Sequence, residues 1–169
     1  MNIARHTLQA LCAALIAYAV AAPVHAIGVG DQAENFELPG LDRTVKLSDS
    51  KGKLVYLDFW ASWCGSCRQS FPWMNELARK YSAQGLEIIA VNLDARNEDA
   101  RKFLSETPAS FTIAFDPKGT TPKQYDVKGM PTSALIGKDG RIVFKHVGFN
   151  HNSRDEMEKA IQDALGVKP

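Results

Sequence analysis

The chain has 169 residues, enough for one ordinary domain with a real core once a leader is set aside. Its 20 Lys and Arg stand against 19 Asp and Glu, a formal net charge of +1. That balance points neither to nucleic acid nor to an anionic membrane surface as a partner.

Residues 1–26 read as a secretory signal peptide. Arg5 and His6 make a short positive start, Leu8 to Ala22 is an apolar run without charge, and Val24-His25-Ala26 offers the small residues that a signal peptidase reads. The run falls short of the roughly 20 residues of a membrane span, so cleavage after about Ala26 is expected rather than a retained anchor. Cys12 leaves with the peptide. Residues 27–169 then form a single domain of 143 residues, formally neutral once Arg5 is gone, with only Cys64 and Cys67 left. An export compartment permits those two to pair.

Ile27 to Leu47 reads as an entry segment of short strands, with Phe36, Leu38, Val45 and Leu47 flanking turn signals at Pro39-Gly40 and Asp42-Arg43. Leu54 to Ala61 is apolar nearly throughout, as in a central strand covered on both faces. A helix is predicted from about Cys64 to Gln84. Phe71, Met74, Leu77, Ala78 and Tyr81 point inward and Arg68, Asn75, Arg79 and Lys80 outward, with a kink expected at Pro72. Gly85 ends it, and Leu86 to Asp94 is a second buried strand. Asn97 to Glu106 is a short helix with Phe103 and Leu104 inward, followed by a short strand over Phe111 to Asp116. Thr121 to Tyr125 suits a helical turn, and Ser133 to Val147 a hairpin turning at Lys138-Asp139-Gly140. A capping box at Ser153-Arg154-Asp155-Glu156 opens a last helix, with Met157, Ile161, Ala164 and Leu165 inward and Gly166 as its stop. Strands alternating with helices make this an α/β fold, a sheet flanked by helices.

The chemistry concentrates in DFWASWCGSCRQSFP, Asp58 to Pro72. A strand ending in a short turn before a helix sets Cys64 at the helix N-terminus, where free N–H groups and the helix dipole stabilise a thiolate. Thiol–disulfide exchange needs that anion. Cys67 lies one turn further in, so Cys64 is expected to attack and Cys67 to resolve the mixed disulfide. A structural disulfide would join distant segments. A structural zinc site would want two further Cys or His ligands, and His146 and His151 are poorly spaced for it, being set apart at the hairpin's end. The residues favour a working redox couple, with no metal and no cofactor beyond the redox-active Cys64–Cys67 disulfide.

These pieces together resemble the thioredoxin superfamily, and within it the exported TlpA/ResA-like thiol–disulfide oxidoreductases. The resemblance rests on DFWASWCGSC, Pro72, GMPTSALI (Gly129 to Ile136) and the closing GKDGRIV, and it covers nearly all of residues 27–169. It implies a thioredoxin-like fold with a central mixed sheet, an N-terminal extension over GDQAENFELPGLDRTVKLSD, and an inserted helix and strand over Asn97 to Phe115. It also implies a cis Met130-Pro131 bond beside the cysteines, whose backbone edge holds a substrate chain. Asp58 matches a buried acid whose pKa is raised by desolvation and which passes a proton to and from Cys67 through water. Trp63 is expected on an exposed rim for substrate, and Trp60, Phe59, Leu57 and Val55 in the core. Arg68 either adds positive potential near the thiolate or, more simply, decorates a helix face. His146 and His151 are expected to be solvated.

Two positions depart from the family. Members serving cytochrome c maturation carry a Glu three residues after the second cysteine, where this chain has Ser70, and the lysine that often neighbours the buried acid is replaced by Ala90. The reading is a periplasmic, monomeric protein that reduces client disulfides and is itself recharged by a membrane thiol electron donor. Its rivals are a thiol peroxidase, disfavoured because Ala61 stands where a Thr or Ser is needed, and a copper carrier using the dithiolate with Met130.

Overall fold

A computed structural model describes residues 27–167, so the expected signal peptide lies outside the described residues. After the entry segment, β1 (Glu37–Pro39) and β2 (Thr44–Lys46) pair antiparallel, Leu38 opposite Val45. Gly40 closes their turn. A Cβ there would stand 2.5 Å from the Arg43 carbonyl and 3.0 Å from that of Ile113, so only glycine lets this hairpin approach the main sheet so closely.

The main sheet is built around β3 (Leu54–Trp60), all seven residues of which are buried, as its unbroken apolar run predicts. It pairs in parallel with β4 (Leu86–Asn92), which pairs in parallel with β5 (Thr112–Phe115). On its other side it pairs antiparallel with β6 (Thr132–Ile136), and β6 with β7 (Ile142–Val147), giving the order β5-β4-β3-β6-β7. The expected mixed sheet and C-terminal hairpin are both present.

Among the described residues, α1 (Gly65–Tyr81), α2 (Asn97–Glu106) and α3 (Thr120–Gln124) connect strands of the main sheet, and α4 (His151–Leu165) follows β7. α1 is one unbroken span with Pro72 inside it, and it runs through a 3₁₀ turn into left-handed Gly85. The 3.6-residue period found Phe71, Met74, Leu77 and Tyr81 but missed Ser70 and Trp73, which are also buried. Trp73 faces Tyr56 of β3 edge-on and Phe149 of the loop before α4, so a third wall covers a flank that the periodicity assigns to solvent. Asn75 is half-buried, bonding Pro108 and Ser110 of the loop after α2.

The last helix corrects the sequence reading. It begins at His151 with Asn150 as its cap: the Asn150 side chain accepts from the Ser153 N–H, and Ser153 Oγ accepts from the Asn150 N–H. Asn caps as well as Ser does, and starting one turn earlier buries Ser153 inside the first turn. The apolar face differs from the expectation at one position. Met157 and Ile161 are buried, whereas Ala164 is exposed and Ala160 packs against the core instead.

The two faces of β3 feed two cores. Leu54, Tyr56 and Trp60 join residues of α1, α2 and α4, among them Cys67, Phe71, Phe103 and Ile161. Val55, Leu57 and Phe59 point the other way, onto Ile27, Phe36, Val45 and Leu47 of the N-terminal extension and Tyr125 after α3. By alternation Asp58 belongs to the first face. A carboxylate thus stands in the apolar layer beneath the helix that carries the cysteines.

Candidate active site

β3 ends at Trp60, and residues 61–64 turn the chain into α1. A cluster at the end of β4 fixes this turn. The Ser62 N–H and hydroxyl both bond the Asp94 carboxylate, at 3.0 and 3.1 Å, and Asn92 Nδ2 donates to the same carboxylate at 2.8 Å. The Leu93 N–H adds a bond to the Trp60 carbonyl at 2.9 Å. Sequence reasoning passed over Ser62, Asn92 and Asp94. Polar residues ending an apolar strand were the available signal.

Cys64 caps α1. Its Sγ accepts the Cys67 N–H at 3.2 Å, occupying the place that a Ser or Asp oxygen takes at an ordinary helix start. No acidic residue lies in the first turn to oppose a negative sulfur. Ser66 Oγ stands 3.5 Å from the same sulfur. Cys64 is 7% exposed and Cys67 fully buried, and the two form a disulfide. Of the two, only the cysteine expected to attack reaches solvent.

Trp63, 72% exposed, stands at the rim of the site, while Trp60 is fully buried against Phe71 and Phe103. The Met130–Pro131 bond is cis. Pro131 is buried and its carbonyl accepts the Gly148 N–H at 2.7 Å, which ties the loop to the end of β7, while half-buried Met130 packs on the core cluster that contains both cysteines. Arg68 is committed elsewhere. Its guanidinium lies 4.6 Å from the Phe103 ring centroid and 3.7 Å from Glu106, clamping α1 to α2. His151 is exposed in the first turn of α4, but His146 is half-buried and stacked on Phe144, less solvated than its sequence position suggests.

Asp58 is 1% exposed. Burial pushes its carboxyl up to about 7, and a hydrogen bond from Ser133 pulls partly back. Ser133 Oγ lies 2.7 Å from Asp58 Oδ1, and Tyr56 Oη lies 2.7 Å from Ser133 Oγ. Burial and the nearby carboxylate hold the Tyr56 hydroxyl well above its usual range, so it stays a donor. Ala90 stands opposite Asp58 on β4, so the strand neighbour supplies no cation. Ser70 is buried, and its hydroxyl donates to the Cys67 carbonyl at 2.9 Å. Among the described residues, no three His, Cys, Asp or Glu side chains are placed to hold a metal ion, and no helix is long and apolar enough to cross a membrane.

Such a site is built to exchange electrons through two cysteines of unequal access, with a buried carboxyl on the strand beneath their helix. Comparison with known proteins agrees with that chemistry. The redoxin family model matches residues 28–161. The thiol-disulfide oxidoreductase ResA of Bacillus thuringiensis subsp. konkukian is 36% identical over 135 residues, covering 79% of this chain and 77% of that protein. ResA of Bacillus subtilis is 35% identical over 126 residues, covering 74% and 70%. A crystal structure from Chlorobium tepidum, bearing the name thiol:disulfide interchange protein DsbE, superposes with a TM-score of 0.82 at 57% identity, covering 83% of this chain and 99% of that one.

Proposed function

The chain belongs to the redoxin family and is a ResA-like thiol–disulfide oxidoreductase of the thioredoxin superfamily, and from that premise we propose that it is an exported, periplasmic reductant of disulfides in client proteins. The observation that carries the reading is the asymmetry of the couple, one sulfur capping a helix at the surface and the other sealed beneath it. In the reduced protein the Cys67 N–H and the helix terminus hold Cys64 as a thiolate. That thiolate attacks one sulfur of a client disulfide and the other leaves as a client thiolate. Cys67 then loses its proton and attacks Cys64 Sγ, releasing the second client thiolate and closing the Cys64–Cys67 disulfide. Asp58 is the group we assign to receive that proton.

Trp63 and the backbone edge at Met130-Pro131 are assigned to hold the client chain, by apolar contact and by strand-like pairing. A reduced couple in an oxidising compartment must draw electrons from outside it, which calls for a membrane thiol donor. At position 61 a buried methyl stands where a thiol peroxidase needs a hydroxyl. Ser70 supplies no titrating acid beside Cys67, so we do not extend the reading to apocytochrome reduction.

Equilibration against a defined thiol buffer tests the direction of flow. A potential near or below about −250 mV supports a reductant, and one near or above about −150 mV makes the protein an oxidant. With a disulfide-bonded client, Cys67→Ser should accumulate a mixed disulfide through Cys64 and Cys64→Ser should form none. Trapping through Cys67 instead would reverse the two roles.

A further inference from the structure

We propose that Ser133 and Tyr56 are positioning residues for Asp58: their linked hydroxyls hold Oδ1, which reserves Oδ2 as the oxygen that takes the proton of Cys67 and returns it. The inference rests on the reading of Asp58 as the proton acceptor and adds which atom acts and what holds it.

The register of the sheet builds the chain of bonds. Ser133 stands directly opposite Asp58 across β3 and β6, and Tyr56, two residues before Asp58, shares its face. A serine hydroxyl has one hydrogen. The carboxylate accepts only, so Ser133 gives its hydrogen to Oδ1 at 2.7 Å, and Tyr56 must donate to Ser133 at 2.7 Å. Tyr56, Asp58 and Ser133 are 2%, 1% and 3% exposed, so solvent does not compete. Asp58 Oδ2 is buried and has no hydrogen-bond partner among the described residues. A buried carboxylate oxygen without a donor is costly, and protonation relieves it. Oδ1 accepts from Ser133 in both states, so the proton that comes and goes sits on Oδ2.

Few other groups compete for the role. β4 presents Ala90, α4 presents Met157 at 3.2 Å from Tyr56 Oη, and α1 presents Cys67. The nearby charge on α4, Glu158, is taken up by Lys80 and the Tyr81 hydroxyl. His146 of β7 is in register with Ser133 and stacks on Phe144. The step balances as follows: Asp58 carboxylate, Cys67 thiol and the mixed disulfide on Cys64 become Asp58 carboxylic acid, the Cys64–Cys67 disulfide and a client thiolate. The proton passes directly or through water, and solvent later recovers it.

The carboxyl carbon of Asp58 can be followed by carbon NMR against pH in the disulfide form, where no thiol titrates, and assigned by its loss in Asp58→Asn. Ser133→Ala should raise its midpoint by about one pH unit by removing a donor that favours the anion. Ser133→Thr should restore it, and Tyr56→Phe should move it the same way by a smaller amount through lost polarisation. Coincident curves for wild type and Ser133→Ala overturn the proposal, and if that variant does not fold, an unmoved Tyr56→Phe curve does so. In the reduced protein, the pH profile of mixed-disulfide resolution should follow the carboxyl midpoint from variant to variant. A profile that stays put while the midpoint moves overturns the role of Oδ2. A wild-type protein that forms no mixed disulfide at all would instead overturn the reading of Cys64 and Cys67.

Discussion

Trp63 exposes 72% of its surface beside a cysteine that exposes 7%, and on the proposed reading the first binds the client while the second does the chemistry. An exposed indole adds nothing to the core, so Trp63→Ala should leave the unfolding midpoint unchanged within about 0.5 kcal/mol. It should slow reaction with a protein client several-fold while leaving reaction with a small-molecule disulfide nearly intact, as stopped-flow oxidation of the reduced protein would read. Equal slowing with both would place Trp63 in the activation of Cys64 instead. The positions of Cys64 as the cap of α1 and of Cys67 buried behind it were legible in the sequence, because a short turn between strand and helix fixes which cysteine caps the helix. Arg68 was not: nothing local reveals that Phe103 and Glu106, on a helix 35 or more residues later, claim its guanidinium.

At the scale of elements, the start of α4 shows how local signals compete. Ser153 and Glu156 satisfy the capping-box pattern, yet Asn150 and Ser153 satisfy it one turn earlier, and the reciprocal bonds there decide. Packing sets the choice: the earlier start buries Ser153 and still brings Met157 and Ile161 onto the sheet. Asn150→Ala should cost about 1 kcal/mol, read as a lower urea midpoint at unchanged slope. Glu156→Ala should cost far less, because Glu156 is exposed and outside the observed cap. Equal losses would restore the later cap. α2 was read with correct ends because no rival pattern overlaps it, whereas α1 hid Trp73 because the flank it covers is completed by Tyr56 and Phe149 from elsewhere in the chain.

For the whole molecule, an acid on the innermost strand couples stability to pH. The sequence shows Asp58 inside an apolar run, but not its partner, since Ser133 lies 75 residues away and meets it only through the β3–β6 register. The folded state holds Asp58 near 7, against about 4 for an aspartate in the unfolded chain. The raised value means that the folded state keeps a proton which the unfolded chain has released between those limits. The contribution of Asp58 is therefore fully present below about pH 4 and lost as pH rises through about 7, at about 1.4 kcal/mol per pH unit and about 4 kcal/mol in all. Asp58→Asn carries no proton to lose. Urea unfolding of both disulfide forms at pH 4.5 and 7.5 should thus show the variant gaining on the wild type as pH rises, by a few kcal/mol. A constant difference would mean that Asp58 titrates as an ordinary surface carboxylate and is ionised throughout. On the proposed reading, the same raised proton affinity that suits Asp58 to accept the proton of Cys67 near neutral pH is what makes the fold lose stability between about pH 4 and 7, where the unfolded chain has already released that proton.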